Sequence, residues 1–347
     1  MAYTTINKST DYFNTKLYTG NNGTQSITGV GHQPDLIWVK ARNDTANHTL
    51  TDVIRGTNSV LYTNQTQAPD TPTNAITSFD SDGFSVGSNG SFNANSINYA
   101  SWNWKANGQG SSNTDGSINT TYTSVSTTAG FSISKYTGTG SNATVGHGLG
   151  SVPKMIIVKR LSGGTGEWGV YHASLGNTKA LYLNGNSASS TETAFWNSTS
   201  PTSSVFSVGT ANDTNGSGST YIAYAFADVQ GYSKVSGSYT GNGNADGSFI
   251  YTGFKPALIL IKQTNATGSW YMWDNKRDTF NPYQRYISPN NANAEYTSSE
   301  RWLDSLSNGF KWRNTETAMN GSGSTYIYMA FAEAPLVGSN NIPCTAR

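Results

Sequence analysis

The stretch NGSGSTYIAYAF at 215–226 returns as NGSGSTYIYMAF at 320–331, with eight identical residues in succession. A chain that repeats a passage at an offset of 105 residues must build similar units, so the search for further copies decides the architecture. Three copies emerge. Each opens on a Tyr-Thr-Gly turn, in YTGNNG from Tyr18, YTGTGS from Tyr136 and YTGNGN from Tyr239. Each then enters an apolar run through a proline and leaves it at a lysine six positions later: PDLIWVK (34–40), PKMIIVK (153–159) and PALILIK (256–262). A phenylalanine after a polar turn follows, in SDGFSVG, SSVFSVG and SNGFKWR. Each copy closes on an aromatic segment, INYASWNWKA, STYIAYAFAD or STYIYMAFAE.

These segments predict strands. The proline-led runs are aliphatic at odd and even positions alike, the pattern of a strand covered on both faces. Proline is tolerated at the entry because the first residue need not donate to the ladder. Asp-Gly and Asn-Gly pairs at Asp82, Asp115, Asp246 and Asn308 supply the positive-φ turns of an antiparallel protein. The one stretch with helical spacing is TSSERWLDSLSNGF at 297–310, with Trp302, Leu303 and Leu306 on one side and Gly309 as its stop.

A single strand cannot offset the entropy of fixing its own backbone, so each copy is expected to close a core of its own. About 100 residues is the usual size of a two-sheet sandwich. The expected fold is therefore all-β, three tandem antiparallel β-sandwich modules at 16–106, 131–230 and 236–336. An N-terminal arm (1–15), a polar linker (107–130) and a C-terminal tail (337–347) complete the chain. The second and third modules, joined almost directly, are expected to hold together stiffly and the first to be freer.

Composition bounds the function. Only 12% of residues are charged and the net charge is +1, so the chain lacks the basic face that nucleic acid or an anionic membrane requires. No run approaches the length of a membrane span, and the first residues carry no secretory leader. Cys344 is the only cysteine, which excludes an intrachain disulfide and points to synthesis in a reducing cytoplasm.

Catalysis finds little footing. The repeated NGSGST lacks the lysine and the following helix of a phosphate loop. Asn242, Asn244 and Asp246 have the spacing of calcium ligands, but the twelfth position is Gly253, so an Asx-rich turn is the stronger reading. Asp228 and Glu333 stand at matching places after AFA, as expected of structural ion pairs rather than an acid/base couple. His32 and His147 precede two of the proline-led strands and are read as loop residues. No enzyme, no cofactor and no metal are expected. The remaining candidates are aromatic: Trp168, Tyr171 and His172 in EWGVYH, matched by Trp270, Tyr271 and Trp273 in SWYMWD. Such side chains could stack on sugars or could equally belong to the core.

MAYTTINKSTDYFNTKLYTG at the start, GHGLGSVPKMIIVK, YIAYAFADVQGYSK and the ending YIYMAFAEAPLVGS…PCTAR together resemble a family. It is that of the triple-repeat, tail-fibre-like virion proteins of marine tailed phages that infect cyanobacteria and SAR11-type bacteria. The resemblance extends over essentially the whole chain. It implies a protein made in the host cytoplasm and displayed on the virion surface, and it implies no catalytic residues. The expected partners are other virion proteins of the tail or capsid, further copies of the chain and a host surface glycan. A tail-fibre or receptor-binding adhesin is the leading expectation. A capsid decoration or head-fibre protein is the main alternative, favoured by the lack of any shaft-like repeat, and a polysaccharide depolymerase is the second.

Overall fold

The structure is a computed structural model that describes residues 3–338 and Pro343. It is all-β and its named sheets are antiparallel. Three large sheets share one strand order. In the first, Phe13–Thr19 pairs with Asn98–Trp104, which pairs with Leu36–Ala41, which pairs with Thr49–Asp52. The second repeats this order with Phe131–Thr137, Thr220–Phe226, Met155–Arg160 and Trp168–His172. The third uses Ser233–Thr240, Thr325–Pro335, Phe254–Gln263 and Trp270–Asp274. A small sheet accompanies each: Gln25–Thr28 with Gly83–Val86 and Ile76–Asp80, Ala143–Gly146 with Val205–Val208, and Phe249–Tyr251 with Gly309–Trp312 and Leu303–Leu306.

The proline-led strands are covered on both faces, as their composition requires. Ile37 and Val39 of the first point toward its small sheet, as do Ile156 and Val158 of the second and Ile259 and Ile261 of the third. Their neighbours Leu36 and Trp38, Met155 and Ile157, and Leu258 and Leu260 all enter one common cluster. Three self-contained cores were expected, with the first module freer. Each unit does close a core against its small sheet, but the structure also joins all three large sheets through this shared core, so none stands free. A small sheet of two or three short strands hides only one face of a large sheet, and the other face is just as apolar. The three leftover faces bury one another. At their meeting point Trp104, Phe226 and Phe331, one from each closing strand, form a closed triangle with ring centroids 6.5, 5.7 and 6.1 Å apart.

The flanking segments are also built in. The arm at 1–15 packs Ile6 and Phe13 into the shared core, and the Phe13 ring stacks on Phe331 at 5.0 Å. The supposed linker at 107–130 contributes a strand, Tyr122–Ser126, to the edge of the second large sheet, and its buried Ile118 bridges to Val145. It carries enough apolar side chains to be held down despite its polar composition. The stretch 297–310 holds no helix: Leu303 and Ser305 point inward and Asp304 and Leu306 outward, a period of two, in the strand Leu303–Leu306. Gly309 begins the next strand, where a Cβ would lie 2.1 Å from the Ile250 carbonyl oxygen. Of the tail, most of 337–347, including Cys344, lies outside the described residues.

The repeated NGSGST is a fastening. A one-turn helix, Asn212–Asn215 or Thr317–Asn320, ends on its asparagine, and Gly90–Asn93 does the same in the first unit. The buried Asn215 amide donates to the carbonyls of Gly209 and Ser141 and accepts from the Thr139 N–H. Asn93 and Asn320 make the corresponding bonds to Gly87 and Gly23, and to Asn314 and Asn244. The second glycine turns the chain at φ +71 in Gly218 and Gly323, and Ser96 adopts φ 62 at the equivalent point.

Candidate functional site

The six aromatic candidates are all buried, so none offers a face to a sugar. Strand alternation places Trp168 and Trp270 in the shared core, where their indoles fasten neighbouring sheets. Trp168 Nε1 donates to the Tyr62 and Gln65 carbonyls at 3.0 and 3.1 Å, and Trp270 Nε1 to the Tyr182 carbonyl at 2.9 Å. Tyr171 meets Trp196 edge-on at 5.8 Å, Tyr271 meets Tyr286 at 5.4 Å and Trp273 meets Trp312 at 5.4 Å. Burial lowers the pKa of His172 to about 4, so it is a neutral core residue at pH 7.

The oxygens of Asn242, Asn244 and Asp246 are turned to local use. Asn242 Oδ1 accepts from the Asn244 N–H, Asn244 Oδ1 accepts from the Asp246 N–H, and Asp246 pairs with Lys311 at 2.6 Å. These are successive Asx turns. Asp228 pairs with Lys234 at 2.9 Å and Glu333 with Lys255 at 3.2 Å, in agreement with a structural reading. No group of three or more His, Cys, Asp or Glu side chains that could hold a metal occurs among the described residues.

Ionic chemistry gathers instead at the seams between large sheets. Asp52 pairs with Arg55 at 2.5 Å and accepts from the Tyr224 hydroxyl at 2.7 Å. Asp274 pairs with Arg277 at 2.5 Å and accepts from Trp102 Nε1 at 3.1 Å. The matching places at the third seam hold His172, Leu175 and Met329. The desolvation of buried ion pairs of this kind offsets much of their Coulomb attraction, while removal of one partner leaves a costly buried charge. The three run-ending lysines are likewise buried: Lys40 Nζ donates to the Ala41 carbonyl, Lys159 to those of Thr66 and Gly166, and Lys262 to that of Gln263. Burial lowers each of them to about 8. Between the sheets lies a void of about 20 Å³ walled by side chains such as Trp38, Ile157, Phe226, Leu260 and Met329. It is too small and too apolar for a polar ligand.

The outside is a different matter. The small sheet of the first unit presents Ser26 and Thr28 outward, and Ser26 bonds to Ser85, which donates to Asp80. In the second unit the outward Thr144 is bonded to Ser117 of the segment folded over it. The third unit presents Phe249 and Tyr251 at those positions, 46% and 55% exposed. Phe280 and Tyr296 of the same unit are also exposed, leaving only Val152 elsewhere among the exposed large apolar side chains of the described residues. Sequence reasoning missed these residues. The available signal was alternation: FIY in the third unit stands where the first has SIT, with a bulky ring on the outward side of a short strand.

No helix among the described residues is long and apolar enough to cross a membrane. No curated protein and no solved structure matches the chain. A family model described as "Domain of unknown function (DUF7483)" matches residues 8–335, nearly the whole length and all three large sheets. The chain belongs to that family.

Proposed function

We propose that the protein is a non-enzymatic component of a phage virion surface, a tail-fibre or receptor-binding adhesin whose third unit contacts host surface glycan. The carrying observation is that four of the five exposed large apolar side chains among the described residues, Phe249, Tyr251, Phe280 and Tyr296, belong to the third unit. Rigid aromatic area presented at low entropic cost is what a recognition surface needs. The chain is read as three reiterations of one two-sheet unit, in support of which stand the common strand order and the three asparagine fastenings. In this reading the first two units and the shared core hold the third in place. The buried lysines, histidines and ion pairs then serve packing, not turnover.

Retardation of the purified protein in gels containing polysaccharide from host envelopes tests the binding claim, and the release of new reducing ends would identify a depolymerase instead. Imaging virions that carry a labelled copy tests the location. A second reading, a capsid decoration protein, draws on the cyclic arrangement of the three large sheets around Trp104, Phe226 and Phe331, which matches the symmetry of a three-fold lattice point. Label confined to the head shell would select it.

A further inference from the structure

The third unit breaks the common pattern at one more place. In the first unit the Gly87 N–H donates to the Ala75 carbonyl, and in the second the Gly209 N–H donates to that of Phe195. Both glycines are walled in: a Cβ on Gly87 would lie 2.7 Å from the Asn74 carbonyl oxygen, and one on Gly209 would lie 2.1 Å from that of Ala194. Ala75 and Phe195 are buried. The same backbone bond in the third unit runs from the Arg313 N–H to the Trp302 carbonyl, at 3.2 Å. Here the position is open. Arg313 is exposed and Trp302 is half-buried, and together with Ala245, Pro282 and Asp304 they line a cleft of about 470 Å³.

Trp302 stands apart from its kind. Of nine tryptophans eight are buried, and Trp302 alone reaches solvent. It is also held still: its Nε1 donates to the Arg313 carbonyl, and its own carbonyl accepts from the Asn314 amide at 2.8 Å. A pre-fixed ring loses little freedom when a ligand lies on it. Arg313 and Asp304 approach at 3.5 Å, so the cleft carries both donors and acceptors while their charges cancel. The outward row Asp304, Lys311, Phe249 then continues across the small sheet, two strand spacings of about 4.8 Å each.

We infer that this cleft is a binding site for an uncharged saccharide chain, with Trp302 stacking on a sugar ring and Asp304 and Arg313 dividing its hydroxyls. An apolar ring face beside paired donors and acceptors fits a pyranose, which has a C–H face and hydroxyls that both give and take hydrogen bonds. A cleft of this size lies within the usual range for small-ligand sites, about 300–1,000 Å³. The inference rests on the adhesin reading and assigns that reading a site.

The test is affinity electrophoresis of the full chain in gels containing dextran, laminarin, galactan or dextran sulfate, with near-ultraviolet circular dichroism to confirm folding. Wild-type protein should be retarded by at least one neutral polymer. Trp302→Ala should weaken that retardation at least tenfold, Trp302→Phe should keep most of it, and Arg313→Gly, which removes a side chain that lines the cleft, should weaken it severalfold. In wild type the bound sugar should shield Trp302 from acrylamide quenching. Equal retardation of wild type and a folded Trp302→Ala would overturn the cleft while leaving the adhesin reading standing. Retardation by dextran sulfate alone would overturn the uncharged ligand. Absence of retardation in every gel would overturn the cleft, and absence of binding to host envelope polysaccharide as well would remove the adhesin reading with it.

Discussion

The first and third units resemble each other where each adjoins a neighbouring unit and differ where they face water. At the seams both bury an Asp–Arg pair three residues apart, Asp52 with Arg55 and Asp274 with Arg277, at the same 2.5 Å. At the outer sheet one shows Ser26 and Thr28 and the other Phe249 and Tyr251. The contrast teaches where each kind of constraint acts. A seam residue must satisfy a partner on another sheet, and a charge left there without its counterion is costly. An outward residue on a short strand has few neighbours to satisfy, so it can change for the sake of binding.

The seam between the second and third units supplies an internal control, because His172 and Leu175 replace the ion pair there. Arg277→Leu alone should strand the Asp274 carboxylate and destabilise the protein by about 3–5 kcal/mol. The double change Asp274→His with Arg277→Leu, which matches His172 and Leu175 while keeping Trp102, should recover most of that loss. Urea midpoints for wild type, single and double variants measure it. Equal loss in the single and double variants would mean that the seams are not interchangeable solutions.

The asparagine fastenings should show no contrast between units. Asn93→Ala and Asn320→Ala each leave one buried carbonyl, one part-buried carbonyl and a part-buried backbone N–H without their partner, at about 1–3 kcal/mol for each group not reached by water. The two variants should lose similar amounts by urea unfolding. A large difference between them would separate units that the sequence writes alike.

Much of this was legible before any coordinates. The proline-led runs are apolar at odd and even positions alike, and both of their faces prove to be covered. The recurring NGSGST marks a turn that launches a strand. The shared core was less visible, since a run buried by its own small sheet and by two foreign sheets has the same composition as one in a free-standing sandwich. The aromatic candidates failed for a related reason: EWGVYH and SWYMWD alternate as strands do, and nothing in alternation says whether both faces are buried. Helical spacing around Trp302 misled because four residues of a strand and its turn can imitate one helical turn. The departure of SNGFKWR from SVG was in plain view. It becomes informative only once Gly87 and Gly209 are seen to be walled in and Arg313 is not.

The buried lysines should also make stability depend on pH. Lys40, Lys159 and Lys262 have pKa values near 8 in the folded chain against 10.5 when free. Between those values the unfolded chain binds protons that the folded one does not, so stability should rise as the pH goes from 8 to 10. Above pH 10 the buried tyrosines such as Tyr18, Tyr136 and Tyr239, whose pKa values burial raises, oppose that gain. His172 acts in the same sense at lower pH: with a folded value of about 4, its contribution is lost as the pH falls from 6.5 toward 4. Urea midpoints across pH 7–10 should climb in wild type and less steeply in Lys262→Met. A flat profile would mean that the carbonyls around each lysine compensate fully for its burial.

The smallest effect on stability should come from the positions that differ most. Phe249→Ser with Tyr251→Thr gives the third unit the outward residues of the first, at sites roughly half exposed in the folded protein. Surface changes of this kind usually fall within about 0.5 kcal/mol. The inward Ile250, packed with Phe310, is untouched, so the strand keeps its register. Retardation by a polysaccharide should nevertheless weaken, because the outward row that begins at the Trp302 cleft ends at Phe249. Loss of stability well beyond that range would mean that the rings support the fold. Unchanged stability with unchanged binding would confine recognition to the cleft. Unchanged stability with weakened binding would mark the outer sheet of the third unit as the binding surface.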